Sequence, residues 1–151
     1  MPDAGLGDAR HYMLTIINPQ LQTSIKNNNM NIETFREYCL SKKGVEETTP
    51  FGPDTLVYKV MGKMFAVTGL DSSEFNITLK CDPDRALELR EQHPEIVPGY
   101  HTDKKHWNTV SCEGDLDDAF IQELIDHSYE LVVNKFPKKL KLEFDQLQIP
   151  D

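Results

Sequence analysis

The chain has 151 residues, 38% of them hydrophobic and 27% charged, with a formal net charge of −9. That length and composition suit one globular domain and exclude a disordered or fibrous chain, and no apolar run approaches the ~18–20 residues that would cross a bilayer. Acidity argues against non-specific adsorption to DNA or anionic lipid; residues 1–29 are neutral, residues 143–151 hold −3 and residues 30–142 hold −6, so any basic site must be local.

The opening MPDAGLGDAR lacks the charged, apolar and small succession of a secretory signal, so a cytoplasmic location without membrane partners is expected. Residues 1–29 hold a short apolar stretch from His11 to Ile17, then Pro19 and the triplet Asn27-Asn28-Asn29, with no sustained period. They read as a disordered or loosely attached extension, or as a short element docking through Ile16 and Ile17. Met30-Asn31-Ile32-Glu33 then reads like the start of a protein. A helix is predicted over 32–43, capped by Asn31, with Ile32, Phe35 and Cys39 on one stripe and Gly44 as its stop.

Residues 45–49 form a short candidate strand, broken by Pro50-Phe51-Gly52-Pro53-Asp54. Residues 55–60 and 63–68 form a hairpin about Met61-Gly62, where Met61 is an imperfect turn residue. Residues 75–80 alternate apolar and polar, the plainest strand in the chain. Asp82-Pro83 opens a second helix that Pro94 ends. Residues 95–106 read as a mobile loop and residues 107–112 as a strand. Asp115 is expected to cap a last helix to about Lys135, with a stripe of Phe120, Ile121, Leu124, Ser128, Leu131 and Val132, stopped by Phe136-Pro137. Residues 143–151 read as an acidic tail. The order α-β-β-β-β-α-β-α implies an α+β, two-layer fold, an antiparallel sheet with helices packed on it.

Several segments together resemble one known family. They are residues 50–57 (PFGPDTLV), 62–66 (GKMFA), 79–83 (LKCDP), 98–101 (PGYH), 104–110 (KKHWNTV) and 124–129 (LIDHSY). In this order and spacing they closely resemble the MmcQ/YjbR family of small bacterial proteins, over roughly residues 30–140. The resemblance implies a sheet related to frataxin-like and secretion-chaperone-like folds, and a DNA-binding role. It carries over no catalytic residue. The chain departs from the family in its first 29 residues, in its acidic tail and at Met61.

Tyr100, His101, Lys104, Lys105, His106, Trp107 and Asn108 concentrate what a phosphate-and-base surface needs. Lysines neutralise phosphates, aromatic rings stack on bases, and Asn108 could read a base edge. Against this, Trp107 could be core and the lysines a solvated turn. Lys59, Lys63 and Lys80 could extend the surface, though lone lysines on the wet side of a sheet are ordinary. Lys135, Lys138, Lys139 and Lys141 are read first as complements to the negative end of the last helix. The cysteines Cys39, Cys81 and Cys112 show no C-x-x-C spacing and read as buried reduced thiols. No phosphate loop, nucleophile elbow or zinc signature is present, so no catalytic residue and no cofactor is assigned and the chain does not read as an enzyme. The leading expectation is a nucleic-acid-binding domain, with DNA or RNA as partner. A protein-interaction module, or small-ligand or metal binding near His101 and Trp107, are the alternatives.

Overall fold

A computed structural model describes residues 30–150. The chain runs α1 (Ile32–Leu40), β1 (Val45–Thr48), β2 (Thr55–Val60), β3 (Lys63–Gly69), β4 (Asn76–Lys80), α2 (Pro83–Gln92), β5 (Ile96–Pro98), β6 (Trp107–Ser111), α3 (Asp118–Asn134) and α4 (Lys138–Gln146). The six strands form one antiparallel sheet in the order β1-β2-β3-β4-β6-β5. The expectation over residues 1–29 falls outside the described residues.

Each strand divides its side chains between two faces. Leu56, Tyr58 and Val60 of β2, Ile77 and Leu79 of β4, and Val110 of β6 enter the core, where Phe35 and Cys39 of α1, Ala86 and Leu89 of α2, and Ile121, Leu124 and Ile125 of α3 meet them. Tyr58 and Phe35 are fully buried with their rings edge to face at 5.3 Å. Among the described residues no helix covers the opposite face, which carries Lys59, Met64, Val67, Thr78, Lys80, Trp107 and Thr109.

One irregularity shapes the centre. Tyr58 pairs with Ala66 and Lys59 with Met64, which leaves Phe65 as an extra residue in β3. This bulge turns both Phe65 and Ala66 into the core. The hairpin below it explains the odd fit of Met61. Met61 and Gly62 take φ of 51° and 81°, the left-handed pair of a twisted two-residue turn, and Met61 adopts it while its side chain packs on the core.

Five local expectations are corrected. The first helix ends at Leu40, because Ser41 caps it and the chain turns through Gly44 at φ 77°. The first strand closes at Thr48, one residue short of the expected end. Asp117, not Asp115, caps α3: the Asp115 amide is held by Glu95 Oε2 and Leu116 is buried, so the first helical turn can open only after them. Residues 95–106 are not one loop, since Ile96–Pro98 forms an edge strand on β6, too short to show a period and placed where Pro98 needs no donor. Finally, Phe136-Pro137 stops α3 but starts α4. Its Phe144 buries against Tyr129 and Phe136, so residues 143–146 of the supposed tail are helical.

Candidate nucleic-acid interface

The fold sorts charge by strand direction. At one end of the sheet, where β4 and α3 begin and β6 ends, lie Glu74, Glu95, Glu113, Asp117 and Asp118, and they are occupied. Glu113 accepts from the Phe75 amide at 2.7 Å, Glu74 from Ser111 Oγ at 3.1 Å, Asp117 from the Phe120 amide at 3.0 Å and Asp118 from the Met30 amide at 3.0 Å. The other end gathers the β2–β3 turn, the end of β4, the start of β6 and the end of α3. There Gly62, Lys63, Met64, Lys80, Val132, Lys135 and Phe136 line a hollow of about 360 Å³, with no carboxylate among its described lining residues. The strand β4 alone separates the two ends by about 13 Å at ~3.3 Å per residue, more than the ~8 Å Debye length of physiological salt. These five carboxylates are therefore largely screened from the lysine hollow, and Asp103 is the carboxylate that acts on Lys80.

Lys80 is the best defined of these cations. It stands opposite Trp107 on the helix-free face, its ammonium 5.9 Å from the ring centroid. Partial burial lowers its pKa, nearby Lys135 lowers it further, and Asp103 opposes both. Its backbone is placed by Ser128, whose buried hydroxyl accepts from the Lys80 amide at 2.9 Å and donates to the Phe65 carbonyl at 2.6 Å. A side chain from α3 thus bridges β3 and β4 beside the bulge and shapes the floor of the hollow.

The segment between β5 and β6 is tied to the sheet at several points. The Gly99 amide donates to the Trp107 carbonyl at 2.9 Å and the Tyr100 amide to Thr109 Oγ1 at 3.0 Å. Gly99 is obligatory, since a Cβ there would stand 2.8 Å from Trp107 Cβ and closer still to Thr102 Oγ1. Arg90 of α2 reaches across to Asn108 Oδ1 at 2.7 Å, to the Trp107 carbonyl at 3.3 Å and to the Lys104 carbonyl. Sequence reasoning passed over Arg90, because an arginine late in a helix reads first as a complement to the helix dipole.

The residues expected to form the site are only partly brought together. Lys63 and Lys80 share the hollow, with Lys135 as a third member that the sequence reading had set aside. Lys59 lies on the helix-free face, half-buried. Lys105 is exposed, whereas the Lys104 ammonium donates to the Gly99 carbonyl at 2.7 Å and so partly serves the loop. His106 Nδ1 lies 2.5 Å from Asp103 Oδ2, and this bond, followed by that from the Lys105 amide, holds the Asp103 carboxyl below its usual range. Asn108 is corrected: its side chain turns to the helix side, only 3% exposed and held by Arg90, so it cannot read a base. Trp107 is buried to 8% exposure and serves as the base under Lys80 rather than as an open stacking platform. Tyr100 and His101 are exposed, with His101 at φ 57°, and they wall a separate groove of about 590 Å³ on the helix-free face.

The three cysteines are buried and free, and burial pushes Cys81 up to about 11 and Cys112 up to about 12. Among the described residues no group of three histidine, cysteine or acidic side chains could hold a metal ion. Two groups tie stability to pH. Burial, then Arg85, lowers the pKa of His127, whose Nε2 accepts from the Asp82 amide at 3.2 Å. The hydrogen bond from Arg36 lowers that of Glu47. Both folded values are depressed, so their contributions are complete above the unfolded values of about 6.5 and 4.3 and are lost as pH falls through the folded ones. The thermal midpoint is expected to be level above about pH 7 and to decline in two steps below it. His127→Gln should remove the upper step, and a midpoint level down to about pH 5 in the parent would contradict the burial of a neutral His127.

Comparison with known proteins places this architecture among relatives. A family model described as YjbR matches residues 40–131. The uncharacterised protein YbdF of Escherichia coli O157:H7 is 36% identical over 107 residues, covering 71% of this chain and 88% of that protein. The uncharacterised protein YjbR of Escherichia coli K12 is 33% identical over 118 residues, covering 78% of this chain and all of the relative. Among solved structures, Deinococcus radiodurans protein DR2400 superposes with a TM-score of 0.73 at 37% identity, over 84% of this chain and 94% of that one. A Pseudomonas syringae protein gives a TM-score of 0.59 at 30% identity, over 68% of this chain and 98% of its own. Among the described residues no helix is long and apolar enough to cross a membrane.

Proposed function

This chain belongs to the YjbR family, and from that premise we propose that it is a nucleic-acid-binding domain whose contact surface is the lysine end of the sheet. The observation that carries this reading is the hollow shared by Lys63, Lys80 and Lys135, with no carboxylate among its described lining residues in a chain of net charge −9. Among the described residues, none of the three ammonium groups has a hydrogen bond or ion pair, in contrast to the carboxylates of the opposite end. Lysines kept close despite mutual repulsion suit a polyanion, whose binding releases counterions and relieves that repulsion. Lys105 and Lys59 extend the surface on either side.

The test is salt dependence. Each neutralised phosphate contributes about −0.9 to the slope of log affinity against log salt for duplex DNA, and about −0.7 for a single strand. The double variant K63A/K135A removes two exposed heads and leaves the Lys80–Trp107 pair intact. It is expected to make the slope shallower by up to ~2 and to weaken binding to all sequences alike. An unchanged slope in a folded double variant removes this end from the interface. A parent that binds neither DNA nor RNA at low salt overturns the reading and favours a protein partner.

A further inference from the structure

The lysine hollow does not stand alone. Met64 lines it and also lines the 590 Å³ groove, so the two concavities meet at one side chain. The groove has a floor from three strands, Thr55 of β2, Val67 of β3, and Asn76 and Thr78 of β4. Its walls come from two loops: Phe51 before β2 on one side, Tyr100 after β5 on the other. Both rings are exposed, Phe51 at 68% and Tyr100 at 56%. At that size the groove falls within the roughly 300–1,000 Å³ of ordinary ligand sites.

Resting on the nucleic-acid reading, we propose that the ligand is single-stranded, with its phosphates at Lys63, Lys80 and Lys135 and its unpaired bases laid into the groove between Phe51 and Tyr100. Charge sets this direction. Lysines line one concavity, whereas Asp71 lines the groove and would repel a phosphate there. Asp71 and the Asn76 amide are instead suited to a base edge, Asp71 as a pure acceptor for an exocyclic amine. A duplex hides its base faces by stacking and could meet only the lysines, leaving both exposed rings without a partner. A single strand offers a π-face for each ring, and stacking of this kind tolerates any base.

The experiment measures anisotropy of a labelled single-stranded oligonucleotide and of the same sequence as a duplex, with the full chain, at one low salt concentration. Variants are Phe51→Ala, Tyr100→Ala and Tyr100→Phe, all at exposed positions, with folding checked by circular dichroism. The single strand is expected to bind about tenfold more tightly than the duplex. Each alanine variant should weaken single-strand binding by roughly five- to a hundredfold, the range that loss of one stacked base allows. Tyr100→Phe should keep parental affinity, and duplex binding should not respond to any of the three. If duplex and single strand bind equally and the alanine variants are silent, the groove is not a base site and the single-strand inference is overturned, while the lysine surface stands. If neither polymer binds, the reading beneath it fails as well.

Discussion

Ser128→Ala is expected to lower stability by about 2–5 kcal/mol, because one hydroxyl satisfies a buried carbonyl and a partly buried amide. Its Oγ accepts from the Lys80 amide and donates to the Phe65 carbonyl, and Ser128 itself is fully buried. The β3–β4 ladder pairs only Ala66 with Leu79 and Val67 with Thr78, so no strand partner can take over at the bulge. Alanine leaves the buried Phe65 C=O and the partly buried Lys80 N–H without this partner, each costing roughly 1–3 kcal/mol. In a chain of this size that lowers the thermal midpoint by roughly 6–15 °C. Asn134→Ala, at an exposed position late in the same helix, is the control and should stay within about 0.5 kcal/mol. A Ser128→Ala midpoint within a degree or two of the parent would show that the strands close without the bridge. The change should also weaken nucleic-acid binding in the fraction still folded, since it frees the backbone that holds Lys80.

Arg90→Ala is expected to cost about 2–4 kcal/mol and to loosen the segment between β5 and β6. The guanidinium serves Asn108 Oδ1 and the carbonyls of Lys104 and Trp107. Among the described residues the buried Asn108 Nδ2 has no partner, so losing Arg90 would remove the bond its amide makes through Oδ1. Arg90→Lys should rescue little, because a single ammonium cannot span three acceptors that a planar fork reaches together. Hydrogen exchange separates the local effect from the global one. The Gly99 and Tyr100 amides, bonded to Trp107 O and Thr109 Oγ1, should lose protection beyond the fall in overall stability. Unchanged protection there, in a variant with a parental midpoint, would mean that α2 does not clamp the loop. Asn108→Leu offers the converse: the Arg90 head keeps the carbonyls of Lys104 and Trp107, so stability should fall less than in Arg90→Ala.

Local signals in the chain determine most of the elements. The alternation over residues 75–80, the Asn31 and Asp82 caps and the Met61-Gly62 turn are legible because each depends on neighbours in sequence. Six spaced segments also sufficed to place the chain in its family. Ser128 carried a readable sign, a polar residue inside an otherwise apolar helical stripe, but what it bonds could not be read, since Phe65 and Lys80 lie 63 and 48 residues away. The face on which Asn108 points follows from the pairing of β6 with β4 and β5, and β5 is too short to announce itself. Lys104 and Lys105 look alike in sequence, and only the loop's closure turns one ammonium inward to Gly99 and leaves the other in water. The separation of charge is the clearest case. Composition records a net of −9 and a scatter of lysines along the chain. The antiparallel sheet and the direction of α3 bring Lys63, Lys80 and Lys135 to one end and Glu74, Glu95, Glu113, Asp117 and Asp118 to the other, while Asp103 stays near Lys80. The reason is physical: charges far apart in sequence interact only after the strands have set their distances, and those distances exist in the tertiary structure alone.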